Sequence, residues 1–270
     1  MLLSGRRCAV LGSPIAHSLS PALHRAAYAE LGLDDWSYDR FEVGEAELAD
    51  FVRGCDDSWR GLSLTMPLKV AALQLGAVDR LAELVGAANT LVFDGEGRQV
   101  HNTDVGGLVS AVQPVLAGKP RVVTILGAGA TARSALVSAA ELGAAEVIVV
   151  ARDVGKAERL RPLADTVGLP LRTLGWDQAL PTADLVVSTV VAGAADARAG
   201  EVAASAPVVF DAVYDPWPTA LAVAAQQAGR AVVNGLDLLV GQAVLQIELM
   251  TGRRVDPGLL LAAGHKALSL

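Results

Sequence analysis

The chain has 270 residues, 52% of them apolar, and a formal net charge of −7. That length and apolar share allow a large core, and a dispersed negative charge excludes nucleic acid or an anionic membrane as the main partner. Cys8 and Cys55 form no CxxC and no cluster with His17, His24, His101 and His265, so neither a disulfide framework nor a metal site is expected. The opening Met-Leu-Leu-Ser-Gly-Arg-Arg reaches charge at once without an h-region, and the other apolar segments are broken by charges and glycines, so a cytoplasmic protein is expected.

Apolar runs alternate with helical patterns along the whole chain, the signature of parallel α/β layers. Strand-like runs lie near 7–12, 36–43, 60–65 and 88–93, with helices near 21–31, 45–53 and 67–75. A second series of strands follows near 121–126, 146–150, 184–188, 207–211 and 230–233, and the stretch 235–270 is apolar and helical. The pattern predicts an α/β protein of two domains joined near Asn102-Thr103-Asp104.

Between the first strand and helix stands Gly12-Ser-Pro-Ile-Ala-His-Ser-Leu-Ser-Pro-Ala-Leu-His24. Ser20 before Pro21 reads as an N-cap and first-turn pair. Capping leaves Ser18 unexplained, whereas two hydroxyls beside a helix N-terminus would also suit a carboxylate. Further on, Ser63 and Thr65 alternate with leucines, which places both hydroxyls on one face near a strand's C-terminal end. Pro67 is then expected to open a helix with Lys69 in its first turn, an electrostatically unfavourable place for a cation and hence a hint of purpose. The pairs Asn89-Thr90 and Asn102-Thr103 suit turns equally well, but Asp104 at the expected join could orient Lys69 and hold a substrate hydroxyl.

In the second series, Arg121-Val-Val-Thr-Ile-Leu126 runs into Gly127-Ala128-Gly129-Ala130-Thr131-Ala132 and a helical pattern, fitting the G-x-G-x-x-A turn that lets a backbone approach a pyrophosphate. About 20 residues on, where an acid would contact an NAD ribose, stand Ala151-Arg152-Asp153 and then Lys156. Arg152 and Lys156, one helical turn apart, suit a 2′-phosphate and favour NADP, though both could simply be a solvated helix start. Asp153 reads as the N-cap of a helix over 154–165, with a ribose contact, and hence NAD, as the alternative.

Together these segments resemble the shikimate dehydrogenase family. The resemblance is carried in order by Gly12-Ser13-Pro14 with His17-Ser18-Leu19-Ser20-Pro21, Leu64-Thr65-Met66-Pro67-Leu68-Lys69, Ala88-Asn89-Thr90 and Asn102-Thr103-Asp104. It continues through the turn at 127–132, Val213-Tyr214-Asp215-Pro216 with Thr219, and Asn234-Gly235-Leu236 with Leu239 and Gln242. It implies NADPH-linked, reversible reduction of 3-dehydroshikimate to shikimate, in the pathway to chorismate and the aromatic amino acids. It also implies an N-terminal substrate domain over 1–103, completed by 236–270, and a Rossmann NADP domain over 104–235. By position, Lys69 and Asp104 would form the catalytic pair, while Ser18 and Ser20 would hold the substrate carboxylate with Tyr214 nearby. Thr65, Asn89, Asp104 and Gln242 would bond ring hydroxyls, and Gly127, Ala128, Gly129, Ala130, Arg152, Lys156 and Gly235 would serve the cofactor. The expected assembly is a monomer or a homodimer.

The chain departs from the family pattern at Ser63, where Asn is usual, at Ala151-Arg152-Asp153, where Asn-Arg-Thr is usual, and at Ala130, in place of a third glycine. The first two keep open a quinate-using or NAD-using paralogue. A non-catalytic sensor is disfavoured by the intact Lys69 and Asp104, and a folate-linked dehydrogenase by the double serine.

Overall fold

The structure is a computed structural model and describes residues 5–95 and 97–269. The chain divides into two compact units, Met1–Asp104 with Leu239–Leu270, and Val105–Leu238.

The first unit holds a six-stranded sheet built from β1 (Arg6–Gly12), β2 (Trp36–Glu42), β3 (Trp59–Leu64), β4 (Ala77–Val78), β5 (Thr90–Phe93) and β6 (Arg98–His101). Their order across the sheet is β2-β1-β3-β5-β6-β4. Helices α1 (Ser20–Glu30), α2 (Glu45–Arg53) and α3 (Arg80–Val85) connect them. The alternation of strands and helices predicts a parallel sheet, and β1, β2 and β3 are parallel. However, β5 runs antiparallel to both β3 and β6, so this sheet is mixed. The reason is local: only four residues, 94–97, separate β5 from β6, which permits a hairpin and no crossover helix. Ala9, Leu11, Leu62, Leu64, Leu91 and Val100 form the centre of one core layer. Each buried leucine or valine there contributes roughly 1.5–3 kcal/mol relative to exposure.

Two further expectations are corrected in this unit. No α-helix starts at Pro67: residues 66–70 form a turn, followed by a single 3-10 turn over Ala71–Gln74. The helical spacing of apolar residues there reflects the burial of Leu68 and Ala72 beneath that turn. Nor is Ser20 an N-cap, because it is already the first residue of α1; Leu19 holds the cap position without a side-chain bond. It is Ser18 whose Oγ accepts, weakly at 3.4 Å, from the Ser20 N–H.

The second unit carries the six strands β7 (Val122–Leu126), β8 (Glu146–Ala151), β9 (Leu171–Gly175), β10 (Leu185–Ser188), β11 (Val208–Asp211) and β12 (Ala231–Asn234). All pair in parallel, in the order β12-β11-β10-β7-β8-β9. Taken along the unit, that is the 3-2-1-4-5-6 order of the doubly wound Rossmann fold, with its reversal point between β7 and β10. The helices are α4 (Asp104–Val112), α5 (Ala130–Glu141), α6 (Val154–Glu158), α7 (Arg161–Thr166), α8 (Ala199–Ser205), α9 (Ala220–Gln227), α10 (Gly235–Thr251) and α11 (Pro257–Leu268). The single helix expected over 154–165 is two, because Pro162 favours a first turn and stands second in α7. The chain leaves this unit within α10, and the rest of α10 with α11 belongs to the first. Among the described residues no helix is long and apolar enough to cross a membrane.

Candidate active site

In the first unit, Lys69 and Asp104 form an ion pair, with Nζ 2.5 Å from Oδ2 and only 17% and 7% of the two side chains exposed. Lys69 is brought there by its backbone: its carbonyl accepts from the Ala88 N–H at 2.7 Å, which ties the 66–70 turn to the segment entering β5. Asp104 is the first residue of α4, where the amide dipoles favour a carboxylate.

The other Asp104 oxygen, Oδ1, accepts from Asn89 Nδ2 at 2.9 Å. The same amide lies within bonding distance of Thr103 Oγ1 (2.9 Å) and Gln242 Oε1 (3.1 Å), and Asn89 Oδ1 accepts from the Thr103 N–H at 2.8 Å. Asn102 is spent on structure, its Nδ2 donating to the Ala87 carbonyl. The structure therefore brings together Lys69, Asn89, Asp104 and Gln242 from four separate stretches of sequence. Thr65 lies one residue beyond β3, its N–H donating to the Leu11 carbonyl, and Ser63 lies inside the strand, fully buried. The expected shared face for these two hydroxyls is thus interrupted by the strand's end. Ser18 is half-buried and Ser20 buried at the start of α1. Tyr214 lies in the second unit after β11, where burial raises its phenol pKa.

The second unit has a pocket of about 440 Å³ at the C-terminal ends of β7, β8 and β10. Gly127, Ala128, Gly129, Arg152, Asp153 and Lys156 line it. Gly127 has φ +107°, a conformation that glycine adopts without strain. Ala130 opens α5 and Gly235 opens α10, and neither is on the pocket wall. A Cβ on Gly235 would fall 2.0 Å from the Ala212 carbonyl oxygen, so this glycine permits a close backbone crossing. Asp153 caps α6, its Oδ1 accepting from the Lys156 N–H at 3.1 Å. Among the described residues no group of three or more His, Cys, Asp or Glu could hold a metal.

A family profile described as "Shikimate dehydrogenase substrate binding domain" matches residues 10–91. Shikimate dehydrogenase (NADP(+)) of Methanopyrus kandleri is 38% identical over 259 residues, spanning 90% of this chain and 89% of that one. The chain belongs to the shikimate dehydrogenase family. In structure it is similar to the Mycobacterium tuberculosis shikimate dehydrogenase, with a TM-score of 0.89 and 44% identity over 97% of this chain and 99% of that one. A 5-ketofructose reductase of Gluconobacter sp. strain CHM43 has a TM-score of 0.86 and 30% identity, covering 98% and 99%.

Several residues on or beside these sites are not singled out by local sequence. Trp176, Thr189, Val190 and Val191 line the second-unit pocket. Thr189 directly follows β10, a strand bordering the reversal point of the sheet, where ligands of this fold bind. Gln246 sits one helical turn after Gln242, a spacing that places both on one face of α10.

Proposed function

We propose that this family member reduces 3-dehydroshikimate to shikimate, reversibly, with NADPH as the reductant, as a soluble cytoplasmic enzyme. The observation that carries the reading is the Lys69–Asp104 pair enclosed by Asn89, Thr103 and Gln242: an ammonium group held by a carboxylate among hydroxyl-binding amides.

The cofactor, when bound, supplies a hydride to the ring carbonyl carbon. The pocket fits such a group, because Gly127 turns at φ +107° on its wall without strain and Arg152 and Lys156 supply cations for a 2′-phosphate. Asp153, engaged in capping α6, suits NADP in this reading. Lys69 Nζ donates a proton to the carbonyl oxygen as its charge develops, and accepts it back in the oxidative direction. Asp104 keeps the ammonium aimed through Oδ2, and its Oδ1 is fixed in turn by Asn89. Ser18 and Ser20 hold the substrate carboxylate, while Thr65, Asn89 and Gln242 orient the ring hydroxyls.

The test is nicotinamide reduction by shikimate in wild type, Lys69→Met and Asp104→Asn. Loss of a positioned proton donor should lower kcat by about 10²–10⁴-fold. A Lys69→Met enzyme with wild-type kcat would refute the assignment. A second reading, reduction of another polyhydroxy ketone, is favoured by the likeness to the 5-ketofructose reductase over nearly both chains. Rates with shikimate, quinate and 5-ketofructose, each with both nicotinamide cofactors, separate the readings.

A further inference from the structure

Asp104 is also the end of a longer buried chain of hydrogen bonds whose direction is forced. An ionised carboxylate paired with an ammonium can only accept, so Asn89 must present its Nδ2 to Oδ1. Its carbonyl Oδ1 then faces Thr90 Oγ1 at 3.1 Å, and Thr90 must donate. Having given its one proton, Thr90 accepts from Gln246 Nε2 at 3.0 Å. Gln246 Oε1 therefore accepts from Ser63 Oγ at 2.8 Å, and Ser63 accepts from the Tyr38 hydroxyl at 2.6 Å. Five donors point the same way, from Tyr38 on β2 through β3, α10 and β5 to the carboxylate. Tyr38, Ser63, Gln246, Thr90 and Asn89 are each at most 3% exposed.

An apolar core would fill this space without the cost of desolvating these groups. A chain with every dipole aligned strengthens its own members and fixes each amide in one orientation. We infer that Tyr38, Ser63, Gln246 and Thr90 are positioning residues for the Lys69–Asp104 pair, acting through Asn89. The serine that departs from the family pattern at position 63 is the link that lets Tyr38 and Gln246 join this chain. The inference rests on the catalytic role proposed above for Lys69 and Asp104.

The decisive comparison is Thr90→Ser against Thr90→Val, with kcat and melting temperature measured for each. Valine is the closer match in shape, whereas serine keeps the hydroxyl. A positioning role predicts kcat within about twofold of wild type for Thr90→Ser and a loss of about five- to tenfold for Thr90→Val, the scale of one buried hydrogen bond. A packing role predicts the reverse order, and Thr90→Val at least as active as Thr90→Ser would overturn the inference. Tyr38→Phe, which removes the terminal donor together with that hydroxyl's contact to Ser20, should lose about three- to fivefold in kcat with the KM for NADPH unchanged. It decides the matter if a Thr90 variant does not fold, and wild-type kcat in Tyr38→Phe would then overturn the inference. Lys69→Met serves as the control: if it is inactive while Thr90→Val and Tyr38→Phe are fully active, the relay alone fails. If Lys69→Met is active, the underlying reading fails.

Discussion

Stability in acid should be governed by His24, a residue without a role in the proposed chemistry. It lies on α1 with no exposed surface, stacked on Tyr38 at 3.9 Å between ring centroids and edge-on to Tyr28 at 6.0 Å. Burial lowers its pKa from the ordinary 6.5 to about 3, against the opposing influence of the Gln246 amide. Tyr28 and Tyr38 have their phenols pushed up by burial, so neither charges in acid to offset it. The folded pKa lies below the unfolded one, so between about pH 6.5 and pH 3 the unfolded chain binds a proton that the folded chain refuses. Stability is therefore full above pH 6.5 and falls as the pH drops, by roughly 1.4 kcal/mol per pH unit and up to about 5 kcal/mol at pH 3. Between pH 7.5 and 5 the loss from this residue is about 2 kcal/mol. His24→Phe keeps an aromatic ring against Tyr38 and removes the titration, while every other titrating group remains common to both proteins. Urea unfolding of both at a series of pH values should show the wild type losing about 2 kcal/mol more than the variant over that interval. Curves that run parallel from pH 7.5 to 5 would show that the imidazole titrates alike in both states, and would refute the reasoning.

Cofactor choice offers a second check: Arg152→Ala should raise the KM for NADPH by about tenfold or more, the scale of a charge-assisted bond, and leave that for NADH nearly unchanged. Equal losses with both cofactors would remove Arg152 from 2′-phosphate recognition. Gly127→Ala should weaken NADPH binding measured by calorimetry. Its φ of +107° costs an L-residue about 1–3 kcal/mol, and the new methyl would fall 2.5 Å from Thr189 Oγ1. Unaltered affinity would mean that the turn does not approach the cofactor. Gly235→Ala should lower the melting temperature by several degrees, because the atom it meets is the backbone oxygen of Ala212 and the strain of overpacking is about 1–3 kcal/mol.

What the sequence carried locally was legible. The β-branched run of β7, followed by Gly127-Ala128-Gly129, announces a strand, a tight turn and a helix within a dozen residues, and the unit has that form. Asp153 was readable as a cap for the same reason, its acceptor and its donor being three residues apart. The failures lie where a local signal had two physical sources. Helical spacing through 67–75 recorded which side chains are covered, and a turn with one 3-10 turn covers Leu68 and Ala72 as well as an α-helix would. Ser20 has cap chemistry, yet its hydroxyl is buried and α1 already includes it.

The same distinction separates the two sites. The second-unit pocket is built mainly from ends of consecutive strands and the turns that follow them, so a motif read along the chain lands on its wall. The candidate catalytic pair has no comparable local cause. With no helix opening at Pro67, nothing in the 66–70 turn itself explains why Lys69 should stand where it does; the Ala88 N–H and the Asp104 carboxylate place it, 19 and 35 residues away. Asp104 is held by Asn89, and Asn89 by bonds that reach Gln242 and, through Thr90, Gln246, more than 150 residues on. The separation Ser63–Gln246, 183 residues, makes α10 part of the site's support. A substitution in α10 that leaves every motif intact can therefore alter the orientation of Asp104, whereas comparable changes in the motif-bearing turn at 127–129 act where they are made.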